Sequence, residues 1–198
     1  MPVVTRLLTR LCLAVVIAGC TMDAGREAPD AEIDIGSGIR FQLPVPTGLD
    51  QPVSAIQSVT VAHGGSWWQF EARLRGTAEA FLLVGLDAFG RRAVTLRWTA
   101  GGVDVERASW FTDSIPTRNL LADIILIYWP ERIVNSSLSR SEANFQQGAS
   151  HRSVFKDGRE VIRIDYVPDL NSRWSGTAGY RNIARDYSID IRSAEVPE

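Results

Sequence analysis

Residues 120–130 read Leu-Leu-Ala-Asp-Ile-Ile-Leu-Ile-Tyr-Trp-Pro, and how the chain accommodates this stretch decides its fold. With the six residues before it, the segment 114–129 predicts a helix. Pro116 suits a first helical turn, and Pro130, lacking an N–H, stops the helix or restarts a second short one through Glu131 to Asn135. The apolar residues cover most of the helix circumference rather than one stripe, which implies burial on more than one side. The segment is too short to cross a bilayer. Asp123 interrupts the apolar run, and because a buried unpaired carboxylate is costly it is expected to reach solvent or pair with Arg118 or Arg132.

On both sides of this segment the sequence alternates as strands do. Val59 and Val61 lead to a turn at His63-Gly64-Gly65, after which Trp68, Phe70, Ala72 and Leu74 alternate with Gln69, Glu71, Arg73 and Arg75. Phe81 to Leu86, a turn at Asp87 to Gly90, then Val94, Leu96 and Trp98 continue the series into Val103 and Val105. Beyond the helix, Ser153 to Phe155 and Ile162, Ile164 and Tyr166 flank Asp157-Gly158, a dipeptide suited to a tight primed hairpin turn. Trp174 to Tyr180 and Tyr187, Ile189 and Ile191 complete the set. Strand following strand through short turns predicts an antiparallel meander. The expected fold is therefore α+β and mainly β: a curved antiparallel sheet with one or two helices on its concave face. A loose fit of helix to sheet would leave an apolar gap lined by Trp68, Phe70, Leu83, Leu96, Trp98, Ile124, Ile125 and Ile164, suited to an acyl or polyene chain. A tight fit would make the same residues a plain core, and the two look alike in sequence.

Composition narrows the function. Among 198 residues, 21 basic and 23 acidic side chains leave a formal charge of −2, which gives no electrostatic case for nucleic acid. Two cysteines and two histidines cannot build a common four-ligand zinc site without carboxylates. No Gly-x-Ser-x-Gly elbow, His-Glu-x-x-His pair, phosphate-cradling loop or cysteine nucleophile is present, so neither enzyme activity, cofactor nor metal is expected. His63 and His151 read as incidental loop residues. Arg173, Arg181, Arg185 and Asp186 form a charged cluster, read as a solvated face or, in the functional alternative, a head-group contact.

The N-terminus speaks to compartment. Arg6 and Arg10 precede an apolar core, Leu11 to Ala18, as in an export signal. The core ends in Ile17-Ala18-Gly19-Cys20, which resembles the lipobox of bacterial lipoproteins: an aliphatic residue, two small residues, then the cysteine that is acylated. Residues 1–19 are expected to be cleaved, which removes Cys12 and leaves Cys20 without a disulfide partner. Thr21 after the cysteine, where an aspartate would mark inner-membrane retention, implies the outer membrane. Residues 20–38, polar and punctuated by Gly and Pro, read as a flexible tether, with one domain over 39–198.

The order lipobox, tether, strands carrying VGLDAFGRRAVTLRW (84–98), a helix reading LLADIILIYWP (120–130) and further strands resembles a family of bacterial lipoproteins found beside aryl-polyene and fatty-acid biosynthesis genes. The likeness covers about residues 50–192 and rests on hydrophobic patterns. That family is similar in plan to the lipoprotein carriers LolA and LolB, half-open barrels whose helices pack into the concave side around a cavity that accepts acyl chains. No functional residue carries over beyond Cys20. The resemblance implies a non-catalytic lipoprotein on the periplasmic face of the outer membrane. Its expected partners are the membrane through Cys20, a lipid or acyl chain, and a periplasmic carrier protein. The alternative is an adaptor with a filled core that works through its surface.

Overall fold

A computed structural model describes residues 32–49, 51–111, 117–169 and 172–197. The export signal, Cys20, the start of the tether and residues 112–116 ahead of the helix lie outside the described residues. Two antiparallel meanders make up the body. The first contains β3 (Val53–His63), β4 (Ser66–Gly76), β5 (Ala80–Leu86), β6 (Arg92–Thr99) and β7 (Gly102–Arg107). The second contains β8 (Ala143–Gln147), β9 (His151–Lys156), β10 (Arg159–Asp169), β11 (Ser172–Asn182) and β12 (Tyr187–Glu195). Between them run α1 (Thr117–Tyr128) and α2 (Glu131–Leu138), separated by Pro130.

Pairing of β12 with β3 fuses the meanders into one ten-stranded sheet, in the order β7-β6-β5-β4-β3-β12-β11-β10-β9-β8. The seam places Ile191 opposite Val59 and Ile189 opposite Val61, so apolar residues of both halves share one face. The edge strands β7 and β8 do not pair, so the sheet stays open. It is nonetheless strongly curled. Seven strand steps separate β6 from β9, and at about 4.8 Å per step a flat sheet would hold them roughly 34 Å apart. Yet Trp129 lies with its ring centroid 5.7 Å from Trp98 of β6 while its carbonyl accepts a 2.9 Å hydrogen bond from Arg152 of β9. Only a sheet wrapped around the end of α1 can bring both walls to one residue.

The local reasons are those the periodicity implies. Phe70, Ala72 and Leu74 of β4 are buried while Gln69, Arg73 and Arg75 are exposed. Asp157 and Gly158 both take positive φ, 50° and 74°, the backbone that a two-residue primed turn demands. In α1, ten of twelve residues are buried, including Leu120 to Tyr128 without a break, which is what a helix apolar all round requires. This is the mainly-β, helix-filled curved sheet expected.

Residues 32–38 depart from the expected tether. They belong to a hairpin in which β1 (Glu32–Asp34) pairs with β2 (Arg40–Gln42) across Gly36 to Gly38. Ile33, Ile35, Ile39 and Phe41 are buried. The alternation of Ile33 with Ile35, and of Ile39 with Phe41 and Leu43, outweighs the Gly/Ser punctuation, which serves as the turn. Asn119 donates to the Asp34 carbonyl at 2.9 Å and Asn182 to the Ile35 carbonyl at 2.8 Å, tying the hairpin across α1 and onto β11.

Candidate functional site

Of the eight residues expected to line an acyl cavity, Phe70, Leu83, Leu96, Trp98, Ile124, Ile125 and Ile164 are buried in one continuous core, and Trp68 is half-buried against it. They are brought together, but as packed neighbours. The hub is Trp129, fully buried, with its ring centroid 5.3 Å from Phe81 and 5.9 Å from Trp174 as well as against Trp98. Trp174 in turn stacks on Tyr128 at 4.3 Å. A Cβ placed on Gly48 would come within 3.1 Å of the Trp129 indole, so the backbone there serves as a wall. None of the eight lines the surface cleft at the C-terminal end of α1, its neighbour, or the one at the His63–Gly65 turn.

Asp123 neither reaches solvent nor pairs with Arg118 or Arg132, contrary to expectation. It is 1% exposed and accepts hydrogen bonds from the hydroxyls of Tyr180 of β11 (2.5 Å) and Tyr187 of β12 (2.7 Å). Burial pushes its carboxyl up to about 7, against the pull of the two tyrosine hydroxyls and of Arg185. Burial likewise pushes both tyrosines well above the usual phenol range. The arrangement is a polar pin through the middle of an apolar helix.

A second polar feature sits at the C-terminal end of α1. Pro130 ends the helix and leaves its last carbonyls without intrahelical partners. Side chains from the second meander supply them. Nη1 of Arg152 donates to the carbonyls of Leu126, Ile127 and Trp129 at 2.8, 2.9 and 2.9 Å. The Tyr166 hydroxyl donates to Ile127 at 2.5 Å, and Nη1 of Arg173 to Tyr128 at 3.2 Å. Burial pushes the Tyr166 hydroxyl up to about 12 and lowers the Arg152 guanidinium, which remains a cation.

These three residues line a cleft of about 380 Å³, closed by Tyr128, the turn Gln147 to Ala149, residues of β11, and Ser193. Its lining includes two arginines and no carboxylate. Arg152 forms the floor, 3% exposed, and Arg173 stands exposed at the rim. A neighbouring cleft of about 370 Å³ shares Tyr128, Ser172 and Arg173 and carries Glu195. A third, about 420 Å³, lies at the His63–Gly65 turn beside Arg181 and Asp186. The charged cluster expected near the C-terminus is thereby divided: Arg173 belongs to the helix end, Arg181 and Asp186 to the far turn. Nothing in the sequence marked Arg152, because its acceptors are backbone carbonyls.

Among the described residues no three His, Cys, Asp or Glu side chains gather as a metal-holding group, and no helix is long and apolar enough to cross a membrane. No curated protein matches the chain. Among solved structures, a LolA superfamily protein from Nitrosomonas europaea superposes with a TM-score of 0.40 at 6% identity, over 75% of this chain and 88% of that one. The family described as "protein of unknown function (DUF3261)" matches residues 54–195, from the start of β3 to the end of β12, and the chain belongs to that family.

Proposed function

We propose that this protein is a non-catalytic lipoprotein of the bacterial envelope that binds or accepts the acyl chains of an amphiphile, anchored through acylated Cys20 on the periplasmic face of the outer membrane. The observation that carries the reading is α1: a helix buried without a break from Leu120 to Tyr128, apolar there except for Asp123 and the Tyr128 hydroxyl, held inside a sheet whose two edges never join. A helix of that kind is a plug of the same chemistry as an acyl chain. An entering chain exchanges one set of dispersion contacts for another, with no hydrogen-bond selectivity against it. The polar cleft at the helix end supplies a mouth where a head group can stay hydrated. Delivery by a periplasmic carrier protein fits such an acceptor. The test is native mass spectrometry of the full chain after gentle purification and incubation with dodecanoate. Adducts of acyl mass beyond the covalent anchor are expected; a bare mass under all loading conditions overturns the reading.

One observation favours the alternative, an adaptor acting through its surface. Phe89 is 85% exposed at the β5–β6 turn, and Arg91 stacks between it and the exposed Trp110, at 5.6 and 4.6 Å from the ring centroids. With the interior filled around Trp129, such an aromatic patch is where a protein partner would dock. Replacing Phe89 and Trp110 together by Ser leaves acyl uptake intact if the lipid reading holds.

A further inference from the structure

We propose that the cleft at the C-terminal end of α1 is an oxyanion site, in which Arg152 and Arg173 hold the phosphate or carboxylate head of an amphiphile. The tail's place rests on the lipid-binding reading above; the head site rests on the cleft itself. Capping the helix explains part of the constellation. The last four carbonyls of a helix carry about half a negative charge, and a neutral donor such as Tyr166 already serves one of them. Two guanidiniums bring two full positive charges to the same point. The lining residues offer no carboxylate to balance them.

Arg152 is the decisive residue. Its Nη1 serves the helix carbonyls, its guanidinium carbon lies 5.7 and 5.9 Å from the ring centroids of Phe145 and Tyr166, and the side chain, almost wholly buried, lines the cleft. A cation held this deep at a cleft floor is a fixed positive charge that a bound anion would meet without reorganisation. The hydroxyls nearby point to the same class of ligand. Ser172 Oγ accepts from the Trp174 N–H at 3.0 Å and Ser175 Oγ from the Glu195 N–H at 3.0 Å, so each keeps its own proton to donate. Glu131 acts on Arg152 from outside the lining and Glu195 lies in the adjoining cleft, but within the cleft itself guanidinium groups and free hydroxyl protons converge with no carboxylate among them, the complement of an oxyanion, which accepts and never donates. The volume of about 380 Å³ admits a phosphate or carboxylate head with its first carbons.

Calorimetry of the full chain carrying Cys20→Ala, titrated in turn with inorganic phosphate, dodecyl phosphate and the neutral monododecanoylglycerol, separates head from tail. Dodecyl phosphate is expected to bind at least tenfold more tightly than the neutral ester. Arg173→Gln, at an exposed position with one long hydrogen bond, should remove most of that preference, and Arg173→Lys should restore part of it. Arg152→Gln should abolish the preference in protein that still melts cooperatively; should it fail to fold, the Arg173 pair decides alone. Phosphate binding that depends on Arg173, with neither amphiphile bound, upholds the oxyanion site, assigns it a free anion and overturns the lipid reading. Equal affinity for charged and neutral amphiphiles, unchanged in Arg173→Gln, overturns the oxyanion site and leaves the lipid reading standing. Absence of all binding overturns both.

Discussion

Asp123 concentrates the energetics of the interior into one carboxyl. Its folded-state pKa is raised to about 7 from 3.8, so the folded protein holds a proton that the unfolded chain releases. The contribution is full below the unfolded value and is lost as pH rises through about 7, which amounts to roughly 4 kcal/mol between pH 4 and pH 8. Denaturant midpoints should therefore fall from pH 5 to pH 8 in the native chain and stay level in Asp123→Asn; a level midpoint in both contradicts the assigned burial. At the helix end, Tyr166→Phe removes one donor to the Ile127 carbonyl and should lower stability by about 1 kcal/mol in equilibrium unfolding. Neither contact was legible beforehand. Asp123 meets partners 57 and 64 residues away, and their approach depends on sheet register, which no local window carries. The acceptors of Arg152, Tyr166 and Arg173 are main-chain carbonyls that no side-chain pattern reveals.

At the level of elements, hydrophobic period was a sufficient guide wherever one face of a strand meets the core. β4, β6, β10 and β12 fall on the alternations that predict them, and α1 and α2 fall on either side of Pro130. Ile125→Asp places a charge on a fully buried position of α1 and should cost several kcal/mol; thermal melting checks it. Gly158→Ala meets no neighbouring atom, so its cost is the positive φ of 74° alone. A loss of about 1 kcal/mol is expected, read as a lower melting temperature with unchanged far-ultraviolet dichroism. The β1–β2 hairpin escaped prediction because each strand is three residues long and paired only with the other. Strands that short are set by what they cover, here the flank of α1, rather than by their own period. β8, Ala143–Gln147, escaped for a related reason: as an edge strand with one buried residue, Phe145, it has almost no apolar face to announce it.

For the whole molecule, the working arrangement is a curled sheet gripping one helix at two places, the Asp123 pin and the arginine-tyrosine cap. On the proposed anchoring through Cys20, Cys20→Ala should move the protein from the membrane fraction to the soluble periplasmic extract while leaving its melting temperature unchanged; retention in the membrane would mean that the folded domain binds lipid surfaces itself. Sequence alone was enough to establish the strand series, the helix that breaks it, the absence of familiar catalytic motifs and the tight Asp-Gly turn, because each depends on burial or backbone preference within a dozen residues. Only the tertiary structure decided that the aromatic residues fill the interior around Trp129 and that a cationic cleft opens beside it. Both depend on how far the sheet curls, and curl is the summed twist of ten strands, a quantity no single segment encodes.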